Sequence, residues 1–80
     1  MSASDHRLEK HSVAIAGHRT SVTLEAAFWR ALKGLAKERG HSLSELIAEI
    51  DSARGEMDPT PNLSSALRVY VLTQSRTGTA

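Results

Sequence analysis

Two short runs of alternating apolar and polar residues stand near the start of this chain. Val13 and Ile15 alternate with Ser12, Ala14 and Ala16 in the first run, and Val22 and Leu24 alternate with polar residues in the second. A period of two that includes β-branched residues is typical of strands, whose side chains point alternately to opposite faces. The pattern therefore predicts strands at about 12–16 and 19–24.

The two runs are out of phase with each other. Their apolar positions are odd in the first run and even in the second, so one unbroken strand would place them on opposite faces. A turn or a bulge between the runs removes this conflict. Gly17 lies at that point, and glycine adopts the backbone angles that such a feature requires.

Three helices are predicted after the second strand. Phe28, Leu32 and Leu35 recur with helical spacing, and Gly40 ends that first helix. A capping box, Ser42-Leu-Ser-Glu45, begins the second helix. Asn62 is a good N-cap for the third, after a loop with two prolines. The predicted helices cover about 25–39, 43–54 and 63–74.

One domain, at about 11–74, contains these elements. Residues 1–10 are mostly polar with no clean period, so we expect a flexible N-terminal arm, and we expect a flexible tail at 75–80. The third helix is apolar on two sides, with Val69 and Leu72 opposite its main stripe, which predicts that one side is buried against another subunit. The residues predicted to form the core and the dimer contacts are Val22, Leu24, Phe28, Trp29, Leu32, Leu35, Leu46, Ile47, Ile50, Leu67 and Tyr70.

The chain is small for a domain that folds alone. It has 80 residues and no Cys, so no disulfide can stabilise it, and oligomerisation is the expected substitute. No apolar run is long enough to span a bilayer, and no signal peptide is visible, so we expect a cytoplasmic protein. Residues 1–40 contain seven Lys or Arg against four Asp or Glu, whereas 41–80 contain three against five. The basic first half suggests an anionic partner such as nucleic acid.

The second strand also predicts a polar surface. With Val22 and Leu24 turned towards the helices, Arg19, Ser21 and Thr23 lie on the opposite face. A lone strand needs a partner for its edges, and two copies that pair antiparallel would form a ribbon with a doubled polar face. A two-stranded ribbon fits the major groove of DNA, where Arg, Ser and Thr bond to base edges.

The segments Arg19-Thr-Ser-Val-Thr-Leu-Glu25 and Arg39-Gly-His-Ser-Leu-Ser-Glu-Leu-Ile47 resemble the ribbon-helix-helix family of the Arc and methionine repressors. Ala16-Gly-His-Arg-Thr-Ser21 and Asn62-Leu-Ser-Ser-Ala-Leu67 are similar to a group of short bacterial members. The resemblance implies a mainly α fold with a short β-ribbon, an intertwined homodimer, and double-stranded DNA as the partner. Relative to the simplest members, this chain adds an N-terminal strand, which either pairs with the ribbon or covers its reading face, and a third C-terminal helix.

The resemblance also implies roles for particular residues. The strand positions that read bases in the family fall on Arg19, Ser21 and Thr23. The phosphate anchor falls on the backbone N–H groups around Ser42, Leu43 and Ser44, and a helix N-terminus does attract anions. The expected function is a transcriptional regulator such as a repressor. An antitoxin, or a dimeric interaction module that does not bind DNA, is the alternative.

Catalysis and metal binding find little support in the sequence. There is no nucleophile elbow, no phosphate-binding glycine loop and no HExxH motif. The four histidines lack the helical spacing of a zinc site, and no Cys accompanies them. We therefore expect no enzyme activity, no cofactor and no metal. The histidines are His6, His11, His18 and His41.

Overall fold

The computed structural model describes residues 3–78. A short 3₁₀ helix at Ala3–His6 precedes two strands and three helices. The strands are β1 (Leu8–Ile15) and β2 (His18–Glu25), and the helices are α1 (Ala26–Glu38), α2 (Leu43–Gly55) and α3 (Leu63–Gly78). The predicted architecture, a β-ribbon followed by three helices, is confirmed.

The two strands form an antiparallel hairpin within one chain. Ala16 and Gly17 connect them, with φ angles of 50° and 83°. Two central residues with positive φ give a turn whose twist matches that of the strands. The register pairs Val13 with Thr20 and His11 with Val22, so odd residues of β1 share a face with even residues of β2. The turn thus resolves the phase conflict in the sequence.

The expected flexible arm at 1–10 is wrong for the residues that the structure describes. β1 begins at Leu8, and Arg7 already accepts a hydrogen bond from the backbone N–H of Ala26. The alternation is hidden in the sequence because polar Glu9 and His11 occupy inward positions. The Trp29 ring covers both, since its Nε1 donates to the Glu9 carbonyl oxygen (2.9 Å) and its face stacks on His11 at 4.1 Å.

One core lies between the inward face of the hairpin and the three helices. Of the residues predicted to be apolar contacts, Phe28, Leu35 and Tyr70 pack at its margin, partly buried, and the other eight are buried. The core also contains Val13, Ile15, Ala36 and Val71. Leu67 belongs to this core of a single chain, so burying it does not require a second subunit.

The third helix is longer than predicted and is fixed at both ends of its packed face. It runs to Gly78, so residues 75–78 of the expected tail are helical, and residues 79–80 lie outside the described part. Arg68 pairs with Glu25 (3.0 Å), and the Tyr70 hydroxyl accepts from Arg39 (2.7 Å). Val69 and Leu72 are exposed in the chain.

Candidate nucleic-acid interface

The outward face of the hairpin carries the residues that were expected to read bases. Arg19, Ser21 and Thr23 all lie exposed on β2, opposite the face that packs on the helices. β1 pairs with β2 edge to edge and does not lie over this face. The open question from the sequence, whether residues 12–16 pair with the ribbon or cover it, is thus answered in favour of pairing.

β1 adds its own polar side chains to the same face. The register sets Lys10 opposite Thr23, Ser12 opposite Ser21, and Ala14 opposite Arg19. All three β1 residues are exposed. Sequence reasoning missed Lys10 and Ser12 because it began the first strand at Ser12 and paired the second strand with another copy. The two-residue turn at 16–17 was the signal that would have found them.

We define the ribbon face as the outward surface formed by Lys10, Ser12, Ala14, Arg19, Ser21 and Thr23. Its two charged residues are both cations. Lys10 and the pair Arg19–Ala14 are four residues apart along the ribbon, which is roughly 13 Å. Successive base pairs are about 3.4 Å apart, so this separation corresponds to about four base pairs.

Arg19 is held across the ribbon rather than pointing freely into solvent. Its guanidinium Nη1 donates to Ser12 Oγ at 3.1 Å. No carboxylate is recorded as an ion-pair partner of Arg19 among residues 3–78. The remaining guanidinium N–H groups can therefore donate to an acceptor outside the chain, and guanine offers two acceptors in the geometry that Arg matches.

The outer edge of β2 offers unpaired backbone groups. In an antiparallel pair, alternate residues point their N–H and C=O groups towards the partner strand. The bond from the Ala26 N–H to the Arg7 carbonyl fixes this alternation, and it places the backbone groups of Arg19, Ser21 and Thr23 on the outer edge. The start of α3 lies beside this edge, where Ser64 Oγ donates to the Thr23 carbonyl at 3.4 Å.

A reciprocal cap fixes the start of α2. Ser42 Oγ accepts from the Glu45 N–H at 3.1 Å, and a Glu45 carboxylate oxygen accepts from the Ser42 N–H at 2.7 Å. The Ser42 backbone donor, assisted by the Ser42 side chain, lowers the pKa of the Glu45 carboxyl below its usual value. The N–H groups of Leu43 and Ser44 belong to the first turn, where an α-helix provides no acceptor of its own.

This helix start can hold an anion, although with a competing charge beside it. The N-terminal donors and the helix dipole attract phosphate. The Glu45 carboxylate opposes an anion at the same end, and His41 lies 3.9 Å from it. Phosphate binding here would therefore depend on the backbone donors rather than on side-chain charge.

Other site types have less to offer in the described part of the chain. No three His, Asp or Glu side chains between residues 3 and 78 come together as a metal site requires. No helix in that range is long and apolar enough to cross a membrane.

Comparisons with known proteins agree with this geometry. The sequence profile described as a ribbon-helix-helix domain matches residues 8–75. A solved structure, that of an uncharacterized protein from Bordetella pertussis Tohama I, is similar with a TM-score of 0.76 and 30% sequence identity. The match covers 90% of this chain and 58% of that one, so this chain spans little more than half the length of its structural neighbour. A search of curated proteins found no significant match.

Proposed function

Because this chain belongs to the ribbon-helix-helix domain family, we propose that it is a bacterial DNA-binding transcriptional regulator, acting in the cytoplasm as a homodimer. The ribbon face enters the major groove, and Arg19, Ser21 and Thr23 read base edges. Members of this family are commonly DNA-binding regulators or antitoxins. The role is one of binding, and it needs no cofactor.

The observation that carries this proposal is the exposed ribbon face. An α-helix or a two-stranded ribbon is the right size for the major groove, and this chain presents such a ribbon with polar and cationic side chains outward. The Trp29 contacts and the Arg68–Glu25 pair hold the ribbon rigidly on the helices. A rigid reading element loses less conformational entropy when it binds.

The outer edge of β2 supports the homodimer. Arg19, Ser21 and Thr23 point backbone donors and acceptors towards this edge, and an unpaired edge is a template for another strand. Two copies related by a two-fold axis can pair β2 with β2 antiparallel, which satisfies those groups in both chains. The argument from size is weaker than the sequence suggested, because one chain already buries Leu24, Leu32 and Leu67 completely.

The packing of α3 favours a regulator over an antitoxin. An antitoxin was considered because such proteins combine a DNA-binding ribbon with a C-terminal segment that wraps a toxin. Here the C-terminal segment is a helix whose Leu67 and Val71 are buried in the domain core. Releasing it to wrap a toxin would expose this apolar surface.

A DNA-binding titration tests the proposal. A 20-base-pair duplex selected from a random library is compared with a random-sequence duplex, at two salt concentrations, for the wild type, Arg19→Ala and Ser44→Pro. Arg19→Ala should cost about 1–3 kcal/mol and relax sequence preference, since a bidentate Arg–guanine contact is worth this much. Ser44→Pro removes one backbone donor at a helix position that tolerates proline, so it should weaken both duplexes alike.

The outcomes separate the alternatives. Circular dichroism checks that both variants are folded. Wild-type protein without salt-sensitive binding to any duplex refutes the DNA-binding function, and the interaction module becomes the better account. Wild-type binding that Arg19→Ala leaves equally tight and selective shows that the ribbon is not the reading element.

A further inference from the structure

We propose that β1 is a working part of the DNA-binding surface, in which Lys10 contacts backbone phosphate at the wall of the groove and Ser12 positions the Arg19 guanidinium. This inference rests on the proposed function, and it adds two residues to the surface. It follows from the register of the hairpin, which puts β1 beside β2 on the ribbon face.

The spacing of strands assigns different parts of the groove to the two strands. Neighbouring strands are about 4.8 Å apart. If β2 pairs with β2 across a two-fold axis, each β2 lies about 2.4 Å from the axis and each β1 about 7 Å from it. The major groove is about 12 Å wide, so its walls are about 6 Å from its centre. β2 therefore faces the bases, and β1 faces the phosphates.

Lys10 has the chemistry that this position requires. It is exposed on the ribbon face opposite Thr23, and no carboxylate among residues 3–78 is recorded as its ion-pair partner. A flexible ammonium group is a good point charge for phosphate, and a contact to phosphate adds affinity without reading sequence. Binding that uses Lys10 in this way releases counterions and depends on salt.

Ser12 acts through Arg19 and is a positioning residue. Its Oγ accepts from Arg19 Nη1 at 3.1 Å, which holds the long Arg side chain over the ribbon before DNA arrives. Fixing a flexible side chain in advance lowers the entropy lost on binding. The effect of removing the Ser12 hydroxyl should therefore exist only while Arg19 is present.

The experiment measures the same two duplexes over a range of salt concentrations with Lys10→Gln, Ser12→Ala, Ser12→Thr and the double variant Ser12→Ala/Arg19→Ala. Lys33→Gln is the matched control, since it removes the same charge from an exposed position on α1. Lys10→Gln should weaken both duplexes roughly fivefold, which is what an exposed ion pair at the upper end of its range contributes. The slope of log K against log salt should fall by about 0.9 for each phosphate that Lys10 no longer neutralises. Lys33→Gln should bind as the wild type does.

Ser12→Ala should weaken the selected duplex by roughly twofold to tenfold, the range expected for one hydrogen bond. Ser12→Thr keeps the hydroxyl and should restore wild-type binding. On the Arg19→Ala background, Ser12→Ala should have no further effect.

Results that overturn this inference are distinct from those that overturn the proposed function. If Arg19→Ala weakens binding while Lys10→Gln behaves as Lys33→Gln does, the regulator stands and the role of Lys10 is wrong. A loss with Lys10→Gln that is confined to the selected duplex contradicts the assignment to phosphate. An equal effect of Ser12→Ala with and without Arg19 contradicts the positioning role. Absence of any wild-type binding overturns both proposals.

Discussion

Replacing Leu67 by Ala tests the packing of α3, and Leu72→Ala is its matched control. The two leucines lie on the same helix and lose the same atoms, but Leu67 is 0% exposed and Leu72 is 59% exposed. Truncating a buried Leu costs about 2–5 kcal/mol, from the apolar burial removed and the cavity left behind. A domain of this size has a total stability of about 4–12 kcal/mol, so Leu67→Ala removes a large part of it. Leu72→Ala should change stability by less than about 0.5 kcal/mol.

Urea unfolding followed by Trp29 fluorescence and by circular dichroism measures this difference. With a slope of about 1–3 kcal/mol per M, the midpoint of Leu67→Ala should fall by on the order of 1–2 M, and that of Leu72→Ala should barely move. The reasoning is refuted if the two variants lose equal stability. If the loss in Leu72→Ala also depends on protein concentration, the exposed side of α3 is buried in a dimer, as its apolar composition first suggested.

Three further predictions concern the dimer, the hairpin turn and the cap of α2. Thermal unfolding of a homodimer should shift to lower temperature on dilution, and a midpoint independent of concentration together with a monomer mass by light scattering contradicts the dimer. Gly17→Ala should destabilise the chain by about 1 kcal/mol because Gly17 has a φ of 83°, whereas Gly34→Ala in α1 should stabilise it by about 0.5–1 kcal/mol, and equal effects in urea unfolding would contradict this account of the turn. Because its hydrogen bonds lower the pKa of Glu45 in the folded state, the stability that its carboxylate contributes is present above the usual value of 4.5 and is lost as pH falls below it; the stability difference between wild type and Glu45→Gln should shrink on acidification, and a difference independent of pH would show that the cap does not need the charge.

The strands show what alternation predicts and where it stops. Val13, Ile15, Val22 and Leu24 alternate clearly, and their opposite phases require the turn that the structure places at Ala16 and Gly17. The residues before Ser12 do not alternate by polarity, because Glu9 and His11 take inward positions. Only the long-range contacts of Trp29 make those positions acceptable, and a local pattern does not contain such contacts.

The helices were more accessible to prediction at their starts than at their ends. Ser42 and Asn62 are side-chain caps, and each makes the predicted hydrogen bond, Ser42 to the Glu45 N–H and Asn62 Oδ1 to the Ser65 N–H. The end of α3 has no comparable signal before Gly78. Polar residues such as Gln74 fit the solvent side of a helix as well as a frayed tail, so the sequence placed its end too early.

For the candidate site, the sequence predicted which β2 residues face outward but not what lies beside them. The exposure of Arg19 follows from strand periodicity alone. The bond from Arg19 to Ser12 and the place of Lys10 follow from the register of β1 on β2, which depends on the pairing partner. Once the partner is a strand of the same chain, half of the ribbon face comes from β1, whose first residues the sequence pattern had assigned to an arm.

The central claim is that the ribbon face binds DNA, and backbone amide chemical shifts test it most directly. A ¹⁵N-labelled sample is titrated with the selected duplex, and the shift changes are mapped on the chain. The account predicts the largest changes at Lys10, Ser12, Arg19, Ser21 and Thr23, with a second set at Leu43 and Ser44. Changes confined to α3, or none at any duplex concentration, would contradict it.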